Sequence, residues 1–133
     1  SVQVSKYMEV EFFRYVMHLT SVVKGKLLSG LTGMDALKST LPAGTVSGAP
    51  KIRAMKRIYE LEKEKRGIYA GAIGYLSASG DMDFAIAIRT MIIKNQKAYV
   101  QAGAGIVYDS VPENEYYETI NKAKAMTRIG EIQ

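Results

Sequence analysis

The stretch MDFAIAIRTMIIKNQKAYVQAGAGIV, residues 82–107, decides the fold class of this chain. From Met82 to Lys94, large apolar side chains alternate with small or polar ones, which is the two-residue period of a strand with unlike faces. Asn95-Gln96 is typical of a tight turn, and Lys97–Val107 then fits the returning strand. The stretch therefore predicts a pair of antiparallel strands.

The flanking sequence extends this pattern in both directions. Upstream, Gly71–Ser77 is a further predicted strand, and Ala78-Ser79-Gly80-Asp81 has the composition of a turn that joins it to the next strand. Downstream, Pro112 opens a helix that is predicted to run to about Ile129. The strands together predict an antiparallel meander followed by a helix.

The middle of the chain is predicted to be helical. Thr32–Leu41 fits a short helix with Thr32 as its N-cap, and residues 42–50 (PAGTVSGAP) have the composition of a loop. Pro50 suits the first turn of a second helix, whose apolar residues recur at helical spacing to about Lys65. The fold class is therefore α+β, with helices packed on an antiparallel β-sheet.

Residues 9–23 carry two competing patterns. A helical spacing of apolar residues runs from Val10 through Phe13 and Val16 to Met17, whereas Leu19 to Val23 fits a strand. The first ten residues, SVQVSKYMEV, resemble the middle of a strand. We therefore expect residues 1–133 to be one segment of a longer polypeptide.

Composition limits the kinds of protein to consider. The 133 residues are 47% hydrophobic and 23% charged, which is ordinary for a globular domain. The absence of cysteine excludes disulfides, thiolate zinc sites and cysteine nucleophiles within these residues. The formal net charge is +5, but the basic residues are scattered, so a nucleic-acid-binding module ranks last among the interpretations. No apolar run approaches the roughly 20 residues of a membrane helix.

Three residues of the last helix form the first candidate constellation. Glu115, Glu118 and Lys122 are spaced i, i+3 and i+7, so they share one helical face. Two carboxylates one turn apart suit a hard cation such as Mg²⁺, which prefers oxygen ligands and keeps several waters. A solvated helix face with a Glu–Lys pair explains the same spacing.

Small residues and one arginine form a second set of candidates. The segment QAGAGI, residues 101–106, would let a ligand approach the backbone, although a bulge or a closely packed helix explains it equally well. Arg89 lies inside an apolar strand, on the predicted face with Ala85 and Ala87. Its fork of donors suits a carboxylate, but a solvent-facing arginine on an exposed sheet is also compatible.

The last candidates lie in the loop 44–51 and at the single histidine. Thr45 and Ser47 bring hydroxyl groups and amides to a helix N-terminus, an arrangement that can bind an anion or can serve as a plain cap. The glycine spacing is not that of a P-loop. His18, between Met17 and Leu19, fits either a packed core residue or a catalytic acid.

Three stretches in this order resemble the chorismate-utilising enzymes. They are LPAGTVSGAPKIRAM (41–55), RGIYAGAIGYLSASGDMDFAIAIRT (66–90) and VQAGAGIVYDSVPENEYYETINKAKA (100–125). The family includes anthranilate, aminodeoxychorismate, isochorismate and salicylate synthases. GTVSGAPK, QAGAGIV and DSVPENEYYETINKA are most similar to anthranilate synthase component I, the large subunit. This resemblance implies that the chain is a C-terminal portion of the α/β sandwich of that subunit.

The resemblance also implies roles for individual residues. Glu115 and Glu118 match the acidic helix that binds Mg²⁺, which holds the ring carboxylate of chorismate. Lys122 matches a lysine that supports this site. The resemblance places Tyr69 and Arg89, with the glycines Gly103 and Gly105, at the enolpyruvyl carboxylate. It places the loop residues Thr45, Ser47 and Gly48 beside the ring carboxylate. It places His18 near the departing ring hydroxyl.

The implied activity is the Mg²⁺-dependent conversion of chorismate and ammonia to anthranilate and pyruvate in tryptophan biosynthesis. A glutamine amidotransferase subunit would supply the ammonia, and we expect a cytoplasmic location. The other synthases of the family remain alternatives, as does a non-catalytic fragment or small-molecule-binding module. An incomplete site would leave the isolated chain inactive, and its uncovered strand edges would favour homo-oligomers or domain swapping.

Overall fold

A computed structural model describes residues 1–12 and 17–127, apart from the side chain of Ala125. The chain divides into two compact units, Ser1–Lys38 and Ser39–Gln133. Within the described residues, antiparallel strands and helices occur together, which confirms the predicted α+β class. None of the described helices is both long and apolar enough to cross a bilayer.

The first unit contains a two-stranded antiparallel sheet. Strand β1 (Gln3–Phe12) pairs with β2 (Met17–Lys24), and Glu11 lies opposite His18. The strand predicted for Leu19–Val23 is confirmed. The helical interpretation is wrong for Val10 and Met17, because both lie in paired strands; Phe13 and Val16 lie outside the described residues.

Helix α1 (Gly33–Thr40) begins where its N-cap predicts. The hydroxyl of Thr32 accepts a hydrogen bond of 3.3 Å from the amide of Asp35, and the Asp35 carboxylate accepts one of 2.9 Å from the amide of Thr32. This reciprocal pair satisfies donors that the first helical turn leaves without an intrahelical partner. The predicted cap at Thr32 is confirmed.

The predicted loop 42–50 contains one helical turn. Helix α2 (Gly44–Ser47) precedes α3 (Lys51–Leu61), and Pro50 is the residue before α3 rather than part of its first turn. Helix α3 ends at Leu61, four residues before its predicted end at Lys65. Glu62 has an extended backbone, with ψ at 119°, which ends the helical hydrogen bonding.

Strands β3 (Ala72–Leu76) and β4 (Met82–Ile86) form the predicted antiparallel pair, with Gly74 opposite Phe84. Gly74 is required by close backbone approach. A Cβ atom there would lie 2.0 Å from the carbonyl oxygen of Asp83 and 2.7 Å from the Cα of Phe84. The register of this pair places Ala72 opposite Ile86, so the residues before Ala72 and after Ile86 lie at the same end of the pair.

The long strand predicted for Met82–Lys94 is interrupted. Strand β5 (Met91–Lys94) pairs with β6 (Lys97–Val100) through the predicted turn at Asn95-Gln96, whose φ angles of 51° and 60° suit a two-residue hairpin turn. The described strands form three two-stranded sheets, so the predicted single meander is wrong. The predicted strand Lys97–Val107 ends at Val100, and residues 101–107 have no regular structure.

Helix α4 (Pro112–Thr127) confirms the predicted start of the last helix; its predicted end at Ile129 lies outside the described residues. The buried residues of the described chain are Ser47, Ala87 and Met126. Many large apolar side chains are exposed, including Tyr59 at 88% and Ile52 at 69% on α3. The second unit therefore presents apolar surface that its described residues do not cover.

Candidate functional site

The open end of the β3–β4 pair positions two of the candidate residues. The amide of Ala70 donates to the carbonyl of Ala87 at 3.0 Å, and the amide of Ala87 donates to the carbonyl of Gly71 at 2.9 Å. Ala87 is only 1% exposed, so these two hydrogen bonds are shielded from water. Tyr69 precedes the first of these bonded residues and Arg89 follows the other strand, so both leave the same end of the pair.

Arg89 leaves the strand through a local change of backbone direction. Its φ is 53°, in the left-handed region that non-glycine residues rarely adopt, and Ile88 donates its amide hydrogen to Ile86 at 2.8 Å. Strand alternation therefore no longer applies at Arg89, and the prediction that it shares a strand face with Ala85 and Ala87 is wrong. The hydrogen bonds of Ala87 with Ala70 and Gly71 fix the backbone two residues before Arg89.

Tyr69 is half-buried and lies beside two cations. Burial raises the pKa of its phenol above the ordinary value, while the positive charges of Arg66 and Arg89 oppose that rise. The family resemblance pairs Tyr69 with Arg89, and Arg89 has the smallest influence among the charges that act on this pKa. The phenol O–H of Tyr69 can donate a hydrogen bond to an anion.

The phenol of Tyr69 lies against the glycine segment 101–106. A Cβ atom added to Gly103 would lie 3.0 Å from the Tyr69 hydroxyl oxygen, whereas a Cβ at Gly105 would meet no atom of the described residues within 4 Å. Gly103 thus permits the tyrosine to approach, and Gly105 leaves open space beside the backbone. The interpretation of this segment as a place of close backbone approach fits Gly103 in particular.

Lys122 connects the glycine segment to α4. Its ammonium group donates a hydrogen bond of 3.2 Å to the carbonyl oxygen of Gly103 and forms an ion pair with the carboxylate of Glu118. Tyr69, Gly103, Lys122 and Glu118 therefore form a continuous series of contacts. Four predicted site residues from three separate parts of the sequence are brought together.

Two of the three glutamates of α4, Glu115 and Glu118, offer oxygen ligands beside that series. Glu118 is exposed, and Glu115 lines an open, mainly apolar groove of about 420 Å³ with Ala104 and Ile106. Among the described residues, no cluster of three or more Asp, Glu, His or Cys could hold a metal ion. The pair fits Mg²⁺ only as a partial ligand set, completed by water, substrate oxygens or other protein ligands.

The two hydroxyl residues of the loop around α2, Thr45 and Ser47, differ in exposure. Ser47 is buried, and its hydroxyl donates to the carbonyl of Ala43 at 2.9 Å, whereas Thr45 is exposed. Gly48 has a φ of 81°, and a Cβ there would lie 2.9 Å from the Cβ of Ala54. Ser47 and Gly48 thus shape the turn, while Thr45 presents its hydroxyl to solvent.

One residue near the site, Arg66, is not among the site residues that the sequence predicts. Arg66 belongs to the charged run 63–66, yet it binds Glu62, the carbonyl of Val46 and the ring of Tyr69. Glu62 and Arg66 both lie beyond the end of α3 at Leu61, so the helical i, i+4 rule does not predict their ion pair. The other two contacts depend on tertiary structure.

His18 lies on β2 of the first unit, opposite Glu11 in the register. Its side chain is exposed, so it is not a packed core residue within that unit. The remaining candidate residues all lie in Ser39–Gln133.

Comparison with known proteins gives concordant results. Residues 1–128 match the model of a family described as chorismate binding enzyme. The chain is 64% identical over 131 residues to anthranilate synthase component 1 of Lactococcus lactis subsp. lactis (strain IL1403), which covers 98% of this chain and 29% of the relative.

Two solved structures resemble this one closely. The crystal structure of anthranilate synthase component I from Streptococcus pneumoniae TIGR4 has a TM-score of 0.91 and 85% identity, over 96% of this chain and 29% of that one. A structure assigned to a 2,3-dihydroxybenzoate-specific isochorismate synthase of Bacillus anthracis has a TM-score of 0.90 at 26% identity, over 100% of this chain and 36% of that one. The chain thus spans about a third or less of each of these relatives.

Proposed function

Because this chain belongs to the chorismate-binding enzyme family, we propose that it forms part of the active site of an anthranilate synthase component 1. The proposed reaction joins chorismate and ammonia and yields anthranilate, pyruvate and water. The observation that carries the proposal is the series of contacts from Tyr69 through Gly103 and Lys122 to Glu118. It links a donor for one carboxylate to ligands for a cation that would hold another.

Tyr69 and Arg89 are proposed to bind the enolpyruvyl carboxylate. Arginine offers parallel donors that match the two oxygens of a carboxylate, and the protonated phenol adds a further donor. Gly103 and Gly105 would present backbone to the same group, and the open space that the described residues leave beside Gly105 supports this. Fixing this end of the substrate orients the ring for reaction.

Glu115 and Glu118 are proposed to hold Mg²⁺ beside the ring carboxylate of chorismate. When bound, the cation would supply positive charge that neutralises this carboxylate and favours its orientation. Lys122 would add a second positive charge and keep Glu118 in place through their ion pair. Thr45, Ser47 and Gly48 would border the same carboxylate, with the exposed Thr45 hydroxyl as the direct donor.

His18 is proposed to assist the departing ring hydroxyl. Addition of ammonia at one ring carbon displaces the hydroxyl, which leaves as water once it accepts a proton. Elimination of the enolpyruvyl group as pyruvate then gives the aromatic ring of anthranilate. Histidine is the side chain that most often transfers a proton to or from a reacting group, which supports this assignment.

The remaining parts of the proposal rest on the family resemblance. They are the dependence on Mg²⁺, a cytoplasmic location, a role in tryptophan biosynthesis, and a glutamine amidotransferase subunit that supplies ammonia. We also propose that protein outside these residues completes the site and covers the exposed apolar surface of the second unit. The isolated chain is then expected to be inactive or to gain activity only by association.

A segment exchange tests the proposed function directly. The matching part of the Streptococcus pneumoniae component I is replaced with this chain, and anthranilate fluorescence is followed with chorismate, ammonium salt and Mg²⁺. We expect turnover close to that of the unaltered enzyme and its loss with EDTA. The isolated chain is assayed in parallel.

Each alternative has its own result in this assay. A folded hybrid that consumes chorismate but releases isochorismate, salicylate or aminodeoxychorismate would assign the segment to another branch of the family. A folded hybrid that binds chorismate without turnover would favour a binding module. A folded hybrid with neither property would contradict the proposed function.

A further inference from the structure

We propose that Arg66 is a positioning residue that fixes Tyr69 and the loop around α2 relative to each other. The inference rests on the proposed function, because it assigns the purpose of this contact to chorismate binding. Arg66 lies between two groups of predicted substrate-binding residues. It makes contacts with both, although the sequence pattern gives it no role in binding.

The guanidinium group is first fixed in direction by Glu62. Nε donates to one carboxylate oxygen of Glu62 at 2.8 Å, and Nη2 donates to the other at 2.6 Å. This two-point geometry holds the plane of the group as well as its position. The hydrogen bonds with Glu62 also raise the pKa of Arg66 and lower that of Glu62, so the pair stays charged.

The third nitrogen reaches the loop that carries Thr45 and Ser47. Nη1 of Arg66 donates a hydrogen bond of 2.7 Å to the carbonyl oxygen of Val46, 20 residues away in sequence. Val46 lies within α2, between the two hydroxyl residues. A single planar group therefore ties the start of the turn 66–71 to the loop.

The face of the same group lies near the ring of Tyr69. The guanidinium carbon is 5.7 Å from the ring centroid, within the range of a cation–π contact. The Tyr69 hydroxyl is in turn adjacent to Gly103. Arg66 thus holds the ring on one side while the glycine segment borders its polar end.

Arg66 acts through other residues rather than on the substrate. Three of its five donor hydrogens bind Glu62 and Val46, and its side chain is 26% exposed. Lysine has a single ammonium group and cannot reproduce contacts with three directions from one plane. Loss of Arg66 should therefore weaken substrate binding by displacing Tyr69 and the loop.

Arg57 provides a matched control. It forms a similar ion pair with Glu60 at 2.7 Å on the exposed surface of α3, and both partners are more than half exposed. Arg57→Gln removes an arginine, one charge and one ion pair at i, i+3 spacing. It should leave the KM for chorismate unchanged, because such exposed pairs contribute little.

The test is a double-mutant cycle in the full-length hybrid enzyme, with Arg66→Gln, Tyr69→Phe and their combination. We expect Arg66→Gln to raise the KM for chorismate about tenfold, with a smaller effect on kcat. In the Tyr69→Phe background the same change should raise the KM by no more than about threefold. Arg66→Lys should recover the folding of the wild type but only part of its affinity.

The outcomes separate this inference from the proposed function. Equal effects of Arg66→Gln in both backgrounds, or an unchanged KM, would overturn the positioning role while the active wild-type hybrid upholds the function. Loss of thermal stability without coupling to Tyr69 would likewise overturn it and leave a structural ion pair. A folded wild-type hybrid that is inactive before substitution would overturn the proposed function and this inference together.

Discussion

The ammonium group of Lys122 donates a hydrogen bond of 3.2 Å to the main-chain carbonyl of Gly103, and it pairs with Glu118 on its own helix. One side chain thus connects the glycine segment with the proposed metal ligands. The contact spans 19 residues of sequence. A change at Lys122 is therefore expected to affect the glycine segment as well as α4.

Replacement of Lys122 by methionine should separate function from stability. Methionine keeps an unbranched stem but removes the donor, so we expect kcat/KM of the full-length hybrid to fall about 10²-fold. The free energy of unfolding should fall by about 1 kcal/mol or less, because the pair with Glu118 is partly exposed. Lys124→Met, at an exposed position of the same helix, is the control for both measurements. Equal activity of the two variants would contradict a role for Lys122.

A methyl group at Gly103 should disturb Tyr69. The added Cβ would lie 3.0 Å from the phenol oxygen, so the side chain of Tyr69 must move by a few tenths of an ångström. We expect Gly103→Ala to raise the KM for chorismate and to cost about 1 kcal/mol of stability.

Gly105→Ala is the matched control for the stability measurement. A Cβ there meets no atom within 4 Å in the part of the chain that the structure describes, and Gly105 does not have a positive φ. The variant should be as stable as wild type or slightly more so, since alanine restricts the unfolded chain. Thermal unfolding of both variants decides the point, and equal destabilisation would refute the proposed contact with Tyr69.

The ionisation of Tyr69 gives a pH-dependent prediction. Burial raises its pKa above the ordinary value of about 10, so the folded state keeps a proton that the unfolded chain releases. The stability associated with the protonated Tyr69 phenol is fully present below about pH 10, and it is lost as the pH rises through the pKa of Tyr69 in the folded state.

Tyrosinate absorbance measures this shift. The chain has nine tyrosines, so the titration of Tyr69→Phe is subtracted from that of the wild type. The difference should have its midpoint above the ordinary tyrosine value. A midpoint at or below that value would show that burial does not govern this phenol.

Glu118→Gln should abolish Mg²⁺-dependent turnover and leave the fold intact. The amide keeps the shape of the side chain but loses the charge that a hard cation requires. Glu113→Gln, in the exposed first turn of the same helix, should retain activity. Steady-state assays over a range of Mg²⁺ concentrations, with circular dichroism as the test of folding, distinguish the two. Full activity of Glu118→Gln would rule out the metal assignment.

The isolated chain should self-associate through its uncovered apolar surfaces. Ile52 and Tyr59 on α3 are 69% and 88% exposed, and exposed apolar patches favour association. Ultracentrifugation should detect oligomers that Ile52→Lys and Tyr59→Lys reduce. A monomer at all concentrations would show that these surfaces do not drive association.

Local patterns predicted the elements whose cause is local. The N-cap at Thr32, the turn at Asn95-Gln96 and the helix that opens at Pro112 depend on neighbouring residues, and all three are found. The continuous strand from Met82 to Lys94 is not found. Alternation extends through Ile88 and Arg89, but the hydrogen bond from Ile88 to Ile86 and the left-handed backbone of Arg89 interrupt the strand after Ala87.

The amino-acid sequence by itself determined the α+β class, the family, and the set of residues with candidate roles, because motifs and periodicity are properties of consecutive residues. Only the tertiary structure decided which of these residues meet. The contacts of Lys122 with Gly103, of Tyr69 with Gly103, and of Arg66 with Val46 join distant segments. No periodic pattern along the chain records such contacts, since they follow from how strands pair and helices pack.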